Sequence, residues 1–344
     1  MQYTLAYLTV FGVALAASLV ATPLAKGLAR RFGVLDLPSQ RKVHLSPTPL
    51  LGGLAVYAGF WLSVLAISRF EVAAPEVFLP DTTRELAAIF VATLTLTLIG
   101  FADDKLVGGL PPGTKLLGQV AAATIAIVGG LQLRVFGVPW LDLPLTVLWI
   151  VGLSNAINLL DNMNGLSAGA TAIAAVFFFA IAALNGQVLV GAMALALAGA
   201  CIGFLRYNFN PATVFLGDTG TLFMGFLLAI IGMKLKASGP GWWSFILVVV
   251  VLALPIFDTS LVTANRLWNR RALAQGGKDH TSHRLVKLGM PQRRAVLVLY
   301  GAGICAGMVA LALARGGVEV GALLALPALA VALGAGYLLA RVEI

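Results

Sequence analysis

Asp103 and Asp104 stand side by side at the end of the apolar run LAAIFVATLTLTLIGFA, with Lys115 a short way downstream. Carboxylates beside a segment of this kind are costly unless paired or metal-bound, which makes them candidates for chemistry. A third carboxylate, Asp161, sits in a string of amides, Asn155, Asn158, Asn162 and Asn164. Asn155 and Asn158 are three apart, a helical spacing that directs both amides and Asp161 to one place. A fourth, Asp218, lies in FLGDTG, where Gly217 and Gly220 permit a tight backbone and Thr219 and Thr221 can cap the following helix. A hard oxygen ligand beside a helix N-terminus suits Mg²⁺ bridged to phosphate oxygens. Several carboxylates, few histidines and no cysteine ligands favour Mg²⁺ or Mn²⁺ over zinc. DHTSHR, residues 279–284, brings together His280, His283 and Arg284, donors of the kind a diphosphate needs while a bond to it breaks.

Each cluster also has a purely structural reading. Asp103 and Asp104 could form an exposed turn, Asp218 a simple N-cap, and residues 279–284 a solvated basic loop. No GxxxxGK[ST], HExxH or GxSxG pattern occurs, so the ATPase, zincin and serine-hydrolase readings lose their support. Cys201 and Cys305 fall inside apolar segments without metal or redox spacing and read as core residues.

The elements that must position these residues are membrane helices. The chain has 344 residues, 60% hydrophobic and 11% charged, with a mean hydropathy of +0.95, more apolar surface than a soluble core of this size uses. This predicts an all-α polytopic integral membrane protein of about 10–11 transmembrane helices. The segments are 4–24, 50–68, 85–101, 115–130, 143–160, 168–186, 187–207, 220–236, 242–264, 294–314 and 318–340. Alternating ten-residue strands of a β-barrel are not seen. The first segment lacks a basic n-region and reads as a retained span. With the N-terminus outside, most of the 23 Lys and Arg fall in inner loops at about 25–49, 102–114, 161–167, 207–219 and 265–293. All the polar clusters then share the cytoplasmic face, so residues 1–344 form one membrane-embedded domain with a single site built from five inner loops. The net charge of +9 is a topology signal, and no nucleic-acid partner is expected. A secondary transporter would place its key residues near the midplane, often with an internal repeat, and neither is seen.

Six motifs in register carry a resemblance. RKVH..PTP.LGG (41–53), GFADD (100–104) with Lys115, NAINLLDNMNGLSAG (155–169), RYNFNPATVFLGDTG (206–220), LPIFDT (254–259) and HTSHR (280–284) resemble the polyprenyl-phosphate N-acetylhexosamine-1-phosphate transferases. This superfamily is also called glycosyltransferase family 4, and the opening motif and the 207–220 loop look most like its WecA/TagO-like branch. The resemblance implies attack of a polyprenyl phosphate on the β-phosphorus of a UDP-N-acetylhexosamine, releasing UMP, in a bacterial inner membrane. An MraY-like phospho-N-acetylmuramoyl-pentapeptide transferase is the alternative within the superfamily. It further implies catalytic roles for Asp103, Asp104 and Asp161, a metal-ligating role for Asp218, and substrate contacts from Lys42, His44, Lys115, Asn158, Asn164, Asn208, His280, His283 and Arg284. Partners are the sugar nucleotide, the lipid phosphate and the bilayer, with a homodimer as the candidate assembly. Three positions depart from the family pattern. Asn164 stands where an Asp is common, Leu50 where a polar residue is common, and Ser282 replaces one histidine of the usual HxHHR.

Overall fold

The computed structural model describes residues 3–37, 47–67, 79–237, 241–272 and 277–342. Within them the chain is helical, in the order α1 (Thr4–Phe32), α2 (Gly52–Ile67), α3 (Pro80–Lys105), α4 (Pro112–Val128), α5 (Pro139–Leu160), α6 (Leu166–Leu184), α7 (Val188–Asn208), α8 (Asp218–Lys234), α9 (Gly241–Val251), α10 (Ala253–Trp268), α11 (Thr281–Lys287) and α12 (Gln292–Ala340), the last made of two helices that meet at a kink at Gly317, where φ is 68° and ψ −164°. A two-residue ribbon, β1 (Leu35–Asp36) with antiparallel β2 (Thr48–Pro49), joins α1 to α2. Pro stands at the start of α3, α4 and α5, where its missing N–H costs nothing and its fixed φ suits a first turn.

Each expected apolar segment falls on helical structure. Among the described residues six helices are long and apolar enough to span a bilayer, or seven if the bent pair α9–α10 counts as one span. Among the described residues α2 and α4 are apolar but shorter than that, so helix length alone counts fewer spans than the ten or eleven hydropathy runs. The run at 242–264 reads as one span, yet its two helices meet at 75°. Pro255 in the first turn of α10 has no N–H to continue the ladder from α9. The protein is a multi-pass, all-α membrane protein.

The packing centre is α8. Its residues from Thr219 to Gly232 are all buried, as is most of α6 and α7. Lipid is as apolar as Leu, so helices here hold together by close fit rather than by the hydrophobic effect. Small residues provide that fit. Gly199 and Gly203, four apart on α7, let the backbone of α1 approach so closely that a Cβ would lie 2.6 Å from Phe11 O and 2.5 Å from Leu15 O.

Candidate active site

Close backbone contact also builds the site. At Gly100, near the end of α3, a Cβ would sit 2.4 Å from the carbonyl carbon of Asp218. α3 therefore lies directly on the first turn of α8, and GFADD and FLGDTG, 114 residues apart, share one place. The PTP.LGG stretch joins them along its backbone: Phe215 N–H donates to Pro49 O at 2.8 Å, Gly52 N–H to Phe215 O at 3.0 Å, and Gly53 N–H to Leu216 O at 2.9 Å.

Asp104 is consumed by this junction. Its Oδ1 accepts from Asp218 N–H at 2.9 Å, and its Oδ2 accepts from Thr219 N–H at 3.0 Å and from the Thr219 hydroxyl at 2.6 Å. A carboxylate holding the orphan N–H groups of a helix start completes that helix electrically as well as sterically. Asp103, Asp104 and Asp218 each offer an oxygen, and these oxygens lie within 4.8 Å of one another. Lys115, from the first turn of α4, stands among them, paired with Asp218 Oδ2 and 3.5 Å from Asp103 Oδ2. Asp103 Oδ1 also accepts from Leu110 N–H at 2.8 Å, and Asp218 Oδ1 from Asn158 Nδ2 at 2.7 Å. The side chains of Lys115, Asp103 and Asp218 are 21%, 15% and 18% exposed, reachable by a ligand yet shielded enough for charge to act strongly.

Three carboxyl groups against one ammonium give the site a donor set richer in acid than in base, in a small space. A hard divalent cation is the chemical complement of that donor set. Asp103 and Asp218 keep lone pairs for one, while three of the lone-pair positions of Asp104 are already occupied.

Asp161 follows the last turn of α5 and is partly exposed. Burial, followed by the charges of Asp218 and Asp104, pushes its carboxyl up to about 7. Among the described residues, none donates a hydrogen bond to it. The surrounding turn, in contrast, is held on three sides. Asn208 Oδ1 accepts from Gly165 N–H at 3.0 Å, the Tyr300 hydroxyl donates to Gly165 O at 2.5 Å, and the Ser282 hydroxyl donates to Asn162 Oδ1 at 2.5 Å.

Some expected site residues are struts. Asn208 is buried and uses its other amide end on Val214 O at 2.9 Å, so both ends of its amide hold backbone. Asn155 turns away from Asp161 to form a reciprocal amide pair with Gln119 of α4. Arg284 is fully buried, donating to Asp279 O at 3.0 Å, Leu339 O at 2.6 Å and Val342 O at 3.1 Å. Its guanidinium anchors the end of α12 through Nη1, while Nη2 is buried without a hydrogen-bond partner among the described residues. Ser282, which replaces one histidine of the usual HxHHR, is a buried contact to the Asp161 turn. His283 is partly exposed, and burial, then the charges of His280 and Lys278, lowers its imidazole to about 4. Asn164 is partly exposed beside Asp161. Lys42 and His44 lie outside the described residues.

Sequence reasoning missed Asp258, Arg266, Asp279 and Tyr300 as members of this end of the protein. Asp258 had a signal, since an acid inside the apolar LPIFDT needs a partner. A cavity of about 700 Å³ between Glu85, Leu133, Gln187 and Lys234 lies at the opposite end of the helices and contains none of the site residues.

Fold and site together define a multi-pass membrane enzyme whose acidic, lysine-bridged centre forms where α3 and α5 end and α4 and α8 begin. A family model described as Glycosyl transferase family 4 matches residues 86–236, which hold that whole centre. A probable undecaprenyl-phosphate N-acetylglucosaminyl 1-phosphate transferase of Bacillus subtilis is 35% identical over 312 residues, covering 88% of this chain and 84% of that protein. A decaprenyl-phosphate N-acetylglucosaminephosphotransferase of Mycobacterium leprae is 33% identical over 318 residues, 81% of this chain and 77% of that one. A phospho-N-acetylmuramoyl-pentapeptide-transferase of Shouchella clausii is 33% identical over 257 residues, 68% of this chain and 76% of that protein. The chain belongs to glycosyl transferase family 4.

Proposed function

We propose that the protein transfers N-acetylglucosamine 1-phosphate from UDP-N-acetylglucosamine to a polyprenyl phosphate in a bacterial cytoplasmic membrane. The observation that carries this reading is the set of Asp103, Asp218 and Lys115 at the ends of membrane helices, where a lipid phosphate and a water-soluble nucleotide can meet. Over similar shares of the chain, the identity to N-acetylglucosamine-1-phosphate transferases is higher than to muramoyl-pentapeptide enzymes, which supports the choice of sugar.

In the proposed reaction an oxygen of the lipid phosphate bonds to the β-phosphorus of the sugar nucleotide. The bond from that phosphorus to the oxygen bridging to the α-phosphate breaks, and UMP leaves with that oxygen. Phosphoryl transfer of this type depends on positioning and charge compensation more than on a strong nucleophile. Asp103 orients the lipid phosphate and accepts its proton where one is present. Lys115 offsets charge between the lipid phosphate and the diphosphate. Asn158 fixes Asp218 Oδ1 and so the direction in which Oδ2 faces. Asp104 holds the start of α8 and thereby the backbone that carries Asp218. Asp161, its carboxyl raised to about 7, faces the same centre and can hold a proton there. Asp218, with Asp103 beside it, would hold Mg²⁺ or Mn²⁺, which would neutralise diphosphate charge when bound. His280, His283 and Asn164 border the sugar-nucleotide side, with Lys42 and His44 as further contacts.

Purified protein, undecaprenyl phosphate, Mg²⁺ and a panel of UDP-sugars test the reading. UMP release with UDP-N-acetylglucosamine well above that with UDP-N-acetylmuramoyl-pentapeptide is the expected result. The reverse preference would move the protein to the muramoyl branch, and release with no UDP-sugar would remove the proposed activity.

A further inference from the structure

LPIFDT is the one shared motif to which the reaction gives no task. Its Asp258 is buried on α10, and its carboxylate takes two bonds from the 279–284 segment: Thr281 N–H donates to Oδ1 at 2.7 Å, and His280 Nδ1 lies 2.8 Å from Oδ2. Two turns along the same helix, Arg266 grips Asp279 with a bidentate pair, Nε to Oδ2 at 2.7 Å and Nη2 to Oδ1 at 2.8 Å. Residues 279, 280 and 281 are thus pinned in succession by α10. Ser282 then fastens the same segment to Asn162, next to Asp161. The bent half-span α10 therefore sets where His280 stands relative to the site.

An ionised carboxylate only accepts hydrogen bonds, so Nδ1 of His280 must carry a proton to meet it. The side chain is only 4% exposed, and Nε2, an acceptor in this form, is left as the nitrogen able to face a ligand. We propose that Asp258 is a positioning residue for the transfer reaction, fixing the ring orientation and the Nδ1-protonated form of His280 through which it acts. This rests on the reading of His280 as a contact on the sugar-nucleotide side, with its unprotonated Nε2 accepting from a sugar hydroxyl or acetamido N–H. Partners that orient metal-bound imidazoles change activity by about 10- to 100-fold when altered, and a loss of that size is the expectation for the Asp258–His280 pair.

Asp258→Asn provides the sharpest probe. The oxygen of the new amide is claimed by Thr281 N–H, so its NH₂ turns to Nδ1 and selects the opposite tautomer. With only three histidines in the chain, ¹⁵N-histidine NMR, with His280→Gln for assignment, reads the ring directly. The expected result is Nδ1–H in the wild type and Nε2–H in Asp258→Asn. Alongside it, kcat for UMP release falls about 10- to 100-fold with KM for UDP-N-acetylglucosamine little changed. Asp258→Asn in a His280→Gln background should cost nothing further, because both changes remove one function. An Nε2–H ring in the wild type overturns the proposal even if Asp258→Asn fails to fold. So does an equal kcat loss from Asp258→Asn with or without His280. A wild type that releases no UMP would instead sink the transferase reading, and the tautomer measurement would still decide whether Asp258 sets the ring.

Discussion

The carboxylate of Asp104 is bonded to the backbone N–H of Asp218, 2.9 Å away and 114 residues later in the chain. With two further bonds from Thr219, the end of α3 acts as the cap of α8. Adjacent carboxylates in one motif have therefore divided their work, Asp104 toward helix α8 and Asp103 toward the open centre.

That division separates the two residues experimentally. Asp104→Ala should lower both stability and turnover, because hydrogen bonds to a charged group are worth about 1.5–3 kcal/mol and the α8 start loses its partners. Asp103→Asn should leave the thermal transition near that of wild type while kcat falls far more than nucleotide affinity. Melting curves beside UMP-release kinetics check both. Equal destabilisation by the two substitutions would contradict the division.

Asp218 is the proposed metal ligand, and its removal relieves repulsion with Asp103 and Asp104. Asp218→Asn should fold normally, with kcat lower by about 10²–10³-fold or more. A cation that binds only the folded state raises its melting temperature by mass action. Mg²⁺ should therefore stabilise the wild type and lose that effect in Asp218→Asn, and chelation should abolish UMP release until Mg²⁺ is restored. Full activity in excess EDTA would remove the metal from the proposal.

The convergence of GFADD, NLLDNMNG and FLGDTG was legible because carboxylates stranded at the ends of apolar runs have few physical excuses. The helices themselves were legible from hydropathy, since a membrane leaves the backbone no alternative. What hydropathy could not show is that the 242–264 run turns through 75°, because a bend changes direction without changing composition. Nor could spacing reveal the struts. Asn208 and Arg284 have donors suited to a substrate, and the same donors suit backbone. Arg284 finds Leu339 O, 55 residues away, only once α12 has returned past α11.

Arg284 thus has a different expected phenotype from a diphosphate ligand. Truncation to Ala leaves the carbonyls of Asp279, Leu339 and Val342 without their buried donor. Loss on the order of 2–4 kcal/mol is expected, seen as a lowered melting temperature and poor recovery of folded protein. KM for the sugar nucleotide in the surviving folded fraction should stay close to wild type. A large rise in KM at unchanged stability would return Arg284 to the ligand site.

Asp161 and His283 should bend the pH dependence of stability in opposite directions. Asp161 is raised from 3.8 to about 7 by burial and its carboxylate neighbours. The folded state therefore binds more protons than the unfolded one between those values, and this contribution is complete below 3.8 and lost as pH rises through 7. His283 is lowered from 6.5 to about 4, chiefly by burial. Here the unfolded state binds more protons, so its contribution is present above 6.5 and lost as pH falls toward 4. Melting temperatures measured from pH 4 to pH 8 without divalent cation should then show Asp161→Asn losing less stability on the alkaline side. His283→Gln should lose less on the acid side. Should Asp161→Asn leave the alkaline slope untouched, Asp161 is already ionised through that range and the proton assigned to it in the reaction must sit on another group.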